Sequence, residues 1–332
     1  MTKRGILSQL ASLYDPLGLI GPFILPAKHV LQVLSRKGFG WDEPVEGSEL
    51  ESWNCWKKVM LELEGLHIPR WYQKGCFSSR IQLHLFCDAS EKGYGAVAYL
   101  RYVGERSSHC SIVTAKSRVA PLKQTTIPRL ELSAGVVAAD IYRMLKHELE
   151  LEIEATYFWT DSKIVLHYLR NETSRFETFV ANRVARILDV TQASQWGHVG
   201  GNENPADLAS RGMTFEDKDV NLWFNGPPFL KGANRLIQQE PCFNVVPESE
   251  LSMKTSARVN LTVGESTGCV FTRFSSWTKL VKCIVWLTRF KGNRVNSSVK
   301  MGPIKVDELR AASDDIVKMV QLEGFPMEVK ML

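Results

Sequence analysis

Long apolar runs are missing from this 332-residue chain. No stretch approaches the about 20 residues that a membrane-spanning helix needs. The N-terminus, MTKRGILSQL, lacks the apolar core of a secretory signal. Paired cysteines are missing as well. Seven are scattered at Cys55, Cys76, Cys87, Cys110, Cys242, Cys269 and Cys283, and none forms a C-x-x-C. An odd, unspaced set gives no disulfide framework and no zinc knuckle, which fits a reducing, intracellular setting. Internal repeats and low-complexity tracts are also absent. Neither sign of charge dominates: the net charge is +5, with 44% hydrophobic and 23% charged residues. That is globular composition, with room for two domains or for one domain with extensions.

What charge bias exists is local. From Arg101 to Arg129 lie Arg101, Arg106, Lys116, Arg118, Lys123 and Arg129 against the single acid Glu105. Such a stretch either faces a polyanion or is a solvated surface.

Four zones separate by pattern. Residues 1–75 read as helices with loops: KHVLQVLSRKGFGW stops at Gly38, YDPLGLIGP is a turn-rich connector, and SELESWNCWKKVMLELEGL has Ser48 and Glu51 in capping-box spacing. Residues 76–212 are the best organised. Strand-like runs at 81–88, 93–103 and 110–117 precede a long helical pattern at 128–149. A short strand, ATYFWTD, then the helix SKIVLHYLRN, follow. RFETFVANRVARILDV places Phe176, Phe179, Val180, Val184, Ile187 and Leu188 on one helical face. A last strand, SQWGHVG, leads to a helix at NPADLASRG. The order βββαβααβα predicts a mixed α/β sheet. Residues 213–270 read as an extended linker, and 271–332 as two helical patterns.

Acids recur at the ends of elements in the second zone. Asp88 closes the first strand and Asp161 closes YFWTD. Glu131 falls at the start of the long helix and Asp207 at the start of the last one. If the first and fourth strands are neighbours, about 5 Å apart, Asp88 and Asp161 can meet, and a helix crossing the sheet can add Glu131. Clustered carboxylates raise one another's pKa values and are costly unless cations neutralise them. Oxygen-only donors favour Mg²⁺ or Mn²⁺. Each acid also has a structural reading. Asp88 could begin an Asx-type turn, TDS could be a strand-to-helix corner, and Glu131 could complement a helix dipole. Asp207 could be the N3 carboxylate of a helix capped by Asn204 with Pro205 at N1.

The D–E–D–D order on βββαβααβα resembles ribonuclease H. FCDASEKGYGAVAYL, AKSRVAPLKQTTIPRLEL, FWTDSKIVLHYL, RFETFVANRV and NPADLASRG resemble the ribonuclease H region of Bel/Pao LTR-retrotransposon Pol polyproteins. KRGILSQLASLYDPLGLIGPFILPAK and WDEP resemble the reverse-transcriptase piece after the polymerase palm, a thumb- or connection-like segment. LWFNGPPFL resembles the segment after ribonuclease H, and DELRAASDDIVKMVQLEGFP the lead-in to the integrase zinc-binding domain.

The resemblance implies a ribonuclease H-like fold and hydrolysis of RNA in RNA–DNA hybrids. Two divalent cations, Mg²⁺ or Mn²⁺, would be held by Asp88, Glu131, Asp161 and Asp207. His198 would relay protons from a flexible loop between Gly197, Gly200 and Gly201; its alternative is an exposed loop histidine. The bland reading of His84, His109, His147 and His167 is structural or solvated. Lys116, Arg118, Lys123 and Arg129 are expected at hybrid phosphates, with Arg183 and Arg186 as further candidates. No YxDD or aspartic-protease motif is present and no zinc ligands follow residue 325, so neither polymerase nor integrase activity is expected. The chain would be an internal slice of a polyprotein, partnered by the rest of Pol and by no membrane. Its place would be the cytoplasm, in virus-like particles, or the nucleus. The competing readings are a catalytically silent nucleic-acid-binding or connection remnant, and a structural helper built on residues 1–75.

Overall fold

The computed structural model describes residues 1–69, 72, 80–104, 108–171, 176–215, 217–232, 274, 276–295, 302 and 304–325. The chain divides into two compact units, Met1–Ala257 and Arg258–Leu332.

The first unit is built on a five-stranded sheet. Its strands are β1 (Arg80–Ala89), β2 (Gly93–Val103), β3 (Ser108–Val119), β4 (Ile153–Thr160) and β5 (Trp196–His198), in the order β3-β2-β1-β4-β5. β1, β2 and β3 pair antiparallel, whereas β1–β4 and β4–β5 are parallel. The parallel pairs need crossovers. These are the helices α4 (Ile127–Glu148), α5 (Lys163–Arg170) and α6 (Thr178–Leu188). The sheet is covered on both faces, so alternate residues of β1 join different cores. Leu83, Leu85 and Cys87 pack with Val137 and Ile141 of α4 and Val180 of α6. Phe86, with Val97 and Tyr99 of β2, packs with Leu208 of helix α7 (Ala206–Arg211) and Trp223 of helix α8 (Asp217–Asn225).

Three N-terminal helices, α1 (Lys3–Ala11), α2 (Gly21–Arg36) and α3 (Gly47–Glu62), surround a core of Ile6, Ala27, Val30, Leu34, Trp53 and Trp56. They are joined to the sheet rather than set apart from it. The loop before α2 lies on the edge strand β3, where Leu17 O accepts from Ala115 N and Thr114 Oγ1, each at 2.8 Å. Gly18 there has φ +69°, and a Cβ on it would stand 2.0 Å from Ala115 O. Pro26 lies inside α2 and has no N–H to give to the Pro22 carbonyl. That carbonyl instead accepts from Met213 N at 3.2 Å, just past α7.

Several expectations change. The capping box at Ser48 and Glu51 does not form: α3 starts at Gly47 with Glu46 before it, so Ser48 is already inside the helix. The expected linker at 213–270 is not extended where it is described. Val220, Trp223 and Phe224 have helical spacing, and α8 seats the fully buried Trp223, whose Nε1 donates to Leu19 O at 2.8 Å. The Gly226-Pro227-Pro228 run belongs to the turn after that helix. The rest of that linker, 233–270, lies outside the described residues.

The second unit contains two helices, Trp277–Val295 and Val306–Gly324. Leu280, Val281 and Val285 meet Ala312 and Ile316. The buried guanidinium of Arg289 donates to both oxygens of Glu308, at 3.0 and 2.6 Å.

Candidate active site

The register of β1 and β4 decides where two acids fall. Cys87 pairs with Thr160 across the parallel ladder, so Asp88 and Asp161 follow side by side. Neighbouring strands lie about 4.8 Å apart, and the two carboxyls are near enough for each to shift the other's pKa. Asp88 is buried inside β1 opposite Gly95 and is not a turn residue. Ser90 makes that turn instead, with its Oγ accepting from Lys92 N. β4 and β5 are also parallel, and His198 pairs with Thr160. Its charge acts on Asp161 in the direction of ionisation. His198 is thus the last residue of β5, with Gly197 inside the strand and Gly200 and Gly201 after it. The expected flexible loop starts one residue later than the histidine.

Glu131 comes from the other face. α4 begins at Ile127, which puts Glu131 just past the first turn and weakens the dipole reading. Its Oε2 accepts from Ser162 Oγ at 2.5 Å, and that same hydroxyl caps α5 by accepting from Val165 N at 3.2 Å. One serine therefore fixes both the helix start after Asp161 and the carboxylate that approaches it.

Asp207 arrives on α7. Gly95 makes this possible, because a Cβ there would stand 2.6 Å from Lys116 O and 3.0 Å from Ala209 Cβ. With Gly93 and Gly95 presenting no side chain on this face of β2, α7 packs almost directly on the strand. Asn204 is wholly buried; it donates to Cys87 O at 3.2 Å and accepts from Ala206 N at 3.1 Å, tying the start of α7 to the end of β1. Ser210, one turn on, donates to Asp88 Oδ2 at 2.5 Å. Asp207 is not the capping carboxylate that its position suggests. It pairs with Arg211 at 2.5 Å.

The electrostatics follow from this crowding. Burial, then the charge of Asp161, pushes the Asp88 carboxyl up to about 8, against the opposing bond from Ser210. Burial likewise raises Asp161 and Glu131, with Asp207 adding to the first and Asp161 to the second. Asp161 Oδ1 is buried, and no backbone, amide or hydroxyl donor reaches it. All donors are hard oxygens, which suits Mg²⁺ or Mn²⁺ in kind. Their spacing is looser: among the described residues no three such side chains are drawn together closely enough to hold an ion.

The basic residues divide into two groups. Lys116 and Arg118 are exposed and lie two apart on β3, hence on one face, and Lys123 is exposed in the loop before α4. Arg129 is engaged, ion-paired with Glu177 and lying over Phe179. Arg183 stacks on Phe179 at 3.4 Å and donates to Ser133, and Arg186 pairs with Asp140. Both therefore serve the α4–α6 contact. Arg101 is buried and donates to Leu230 O, so it leaves the surface stretch; Arg106 lies outside the described residues. Ser162, Ser210 and Arg211 escaped the sequence reading. A serine directly after Asp161 and another three residues after Asp207 were the signals available.

A mixed sheet in the order β3-β2-β1-β4-β5, with acids gathered at the ends of β1 and β4, defines a ribonuclease H-like α/β fold. Residues 2–162 match the family described as the Pao retrotransposon-like RNaseH-like domain. That match takes in Asp88, Glu131 and Asp161, and ends before His198 and Asp207. Among solved structures, the chain is similar to the N-terminal RNase H domain of Rv2228c from Mycobacterium tuberculosis, with 12% identity and TM-score 0.28, over 44% of this chain and 96% of that one. It is similar to LC11-RNase H1 in complex with an RNA/DNA hybrid at 14% identity and TM-score 0.25, over 39% and 91%. It is also similar to a foamy viral protease-reverse transcriptase in complex with double-stranded DNA at 11% identity and TM-score 0.23, over 60% and 34%. No curated protein matched the chain.

Proposed function

We propose that this chain is a retrotransposon Pol-derived ribonuclease H-type endonuclease that hydrolyses the RNA strand of RNA–DNA hybrids. The observation that supports it most is the pairing of Asp88 with Asp161 at adjacent strand ends, inside the field of Glu131 and Asp207. Buried carboxylates of this kind are retained at a cost, and a hydrolytic site for phosphodiesters has a use for them. Two divalent cations, when bound by Asp88, Glu131, Asp161 and Asp207, would supply Lewis-acid polarisation of the phosphate and an activated water. The chain's own groups do the rest. Ser162 orients Glu131, Ser210 orients Asp88, and Arg211 releases Asp207 when that carboxylate is required. His198, beside Asp161, takes or returns a proton near the scissile bond. Lys116, Arg118 and Lys123 meet phosphates at the rim. Recognition rests on the shape of the hybrid and the 2′-hydroxyl rather than on base edges. The family match over residues 2–162 supports reading the chain as part of a Pol polyprotein. The upstream polymerase and downstream integrase are its proposed neighbours, in a cytoplasmic virus-like particle or the nucleus.

A second reading has its own observation. The Arg211–Asp207 pair and the open spacing of the donors also suit a silent binding or connection module. One experiment separates the two. Labelled RNA–DNA hybrid is incubated with the chain and Mg²⁺ or Mn²⁺, then with Asp161→Asn. Metal-dependent cleavage that the substitution abolishes supports the nuclease. Hybrid binding by both proteins with cleavage by neither supports the module.

A further inference from the structure

A groove of about 730 Å³ opens between α2, the β1–β2 turn and the segment that leads into α4. His29 and Arg36 line it from α2 and Lys92 from the turn, facing Gln124, Thr125 and Thr126. A second depression, about 330 Å³, shares His29 and Lys92 and reaches Arg211. Arg211 is the residue paired with Asp207. The two cavities are therefore neighbours across His29 and Lys92, and the second ends at Arg211, beside the acid cluster; together they mark a path from α2 toward it.

The charges along this path are unbalanced. Lys92 and Arg36 both act on His29 and, after burial, disfavour its protonation, so the two cations converge on one imidazole. His29 Nδ1 is buried and unpartnered. Among the described residues, neither Arg36 nor Lys92 has an ion-pair partner. Of the two acids in the linings, Glu49 is held by Lys37 at 2.7 Å, and Glu91, exposed beside Lys92 in the wider groove, forms no ion pair with Arg36 or Lys92 among the described residues and offsets at most one of their charges. Converging cations without carboxylate partners are unfavourable in isolation and become favourable when a polyanion spans them. Apart from the His29 imidazole, the lining of either cavity includes no aromatic ring. A single-stranded ligand gripped by base stacking would want such rings; phosphate tracking along a duplex does not.

We infer that α2 and the β1–β2 turn bind the phosphodiester backbone of a nucleic-acid duplex, through Arg36, Lys92 and His29, on its way into the acid site. This rests on the nuclease reading for the identity of the duplex, an RNA–DNA hybrid. The N-terminal helices thereby become part of the substrate surface rather than a spacer.

The test measures hybrid binding by fluorescence anisotropy over a range of salt concentrations, with Asp161→Asn in every protein to prevent cleavage. Removing two phosphate contacts in the double variant Arg36→Ala/Lys92→Ala should flatten the log–log salt slope by roughly 2 and weaken binding about tenfold at ~0.1 M salt. The reversal Arg36→Glu/Lys92→Glu should weaken it further. Melting temperatures of all variants show that the fold is kept. An unchanged slope and affinity in both double variants overturns the inference, as does absence of hybrid binding by the parent chain. The nuclease reading fails separately, if the unsubstituted chain binds hybrid through Arg36 and Lys92 yet does not cut it.

Discussion

A carboxyl that titrates at about 8 inside a strand is an unusual thing for a fold to keep, and Asp88 shows what it costs. Between its ordinary 3.8 and about 8, the folded state holds a proton that the unfolded chain has released. Raising pH through that window therefore removes stability. Asp161 and Glu131, also raised, act in the same direction. His84 acts in the opposite direction. Fully buried, with Nδ1 accepting from Trp159 Nε1 at 3.1 Å, it is pushed down to about 3. Below its ordinary 6.5 the unfolded chain takes up a proton that the fold refuses, so stability falls as pH drops. With metal chelated, the melting temperature should be highest at about pH 4, where the His84 loss on the acid side gives way to the carboxyl loss. It should stay level or decline to about pH 6.5 while the two oppose one another, and fall more clearly from there to about pH 8. Added Mg²⁺ should lift the alkaline limb alone. Asp161→Asn, which removes one of the repelling charges, should lift that limb without metal. A profile that rises steadily to pH 9 in chelator would contradict the crowding of the acids. Ser210 offers a sharper probe. Its bond to Asp88 favours the ionised form, so Ser210→Ala should slow cleavage by roughly 10–100-fold, the worth of a hydrogen bond to a charged group. The same change should move the acid limb of the pH–rate profile upward. A uniform loss of rate with no change in the profile would make Ser210 merely structural.

At the scale of elements, α7 is set by absences in β2. Gly95→Ala brings a methyl group to 2.6 Å from Lys116 O and 3.0 Å from Ala209 Cβ. Overpacking of this kind costs about 1–3 kcal/mol. The displacement falls on the helix that carries Asp207 and Ser210. Thermal melts should show the loss, and cleavage assayed well below the melting temperature should fall too. Retained activity at a lowered melting temperature would mean that α7 tolerates the shift. The elements themselves were legible in the sequence because their periods are clean: Ile81, Leu83, Leu85 and Cys87 alternate, and Phe176, Val180, Val184 and Ile187 repeat helically. The D–E–D–D order was legible for the same reason, since Asp88, Asp161 and Asp207 sit where a period stops or starts and Glu131 lies one turn into its helix. What joins the acids was not legible. Ser162 and Ser210 act across 31 and 122 residues of chain, and no local pattern encodes such a pairing. α8 was missed because Gly226-Pro227-Pro228 dominates its neighbourhood, although Val220, Trp223 and Phe224 already had helical spacing. Arg129, Arg183 and Arg186 looked free because the acids and rings that engage them lie on other elements.

For the whole molecule, the question is whether the N-terminal helices can be separated from the sheet. The sequence pattern suggested a boundary near residue 75, yet the packing runs across it. Phe23, Ile24 and Leu25 of α2 are buried at 0%, 7% and 1% exposure. Phe23 shares a core with Phe86 and Val97 of the sheet and stacks on Phe215 at 4.8 Å. Burying three such side chains is worth about 1.5–3 kcal/mol each. That sum is comparable with the about 5–15 kcal/mol by which a whole domain is stable. Removing residues 1–69 would also uncover β3, an edge strand whose Ala115 N–H is now satisfied by Leu17. An open, apolar edge invites pairing between copies. The deletion should therefore give no cooperative melting transition and should aggregate, while deletion of 258–332 should leave the first unit folded with a sharp melt. Gly18→Ala tests the same joint without truncation: with φ +69° and a methyl group 2.0 Å from Ala115 O, the loop must lift off β3. It should lower the melting temperature more than Gly38→Ala does, a glycine of similar φ, +79°, whose Cβ would meet nothing within 4 Å. Equal losses at the two glycines would mean that backbone strain alone is at work, and that the loop before α2 does not hold the sheet edge.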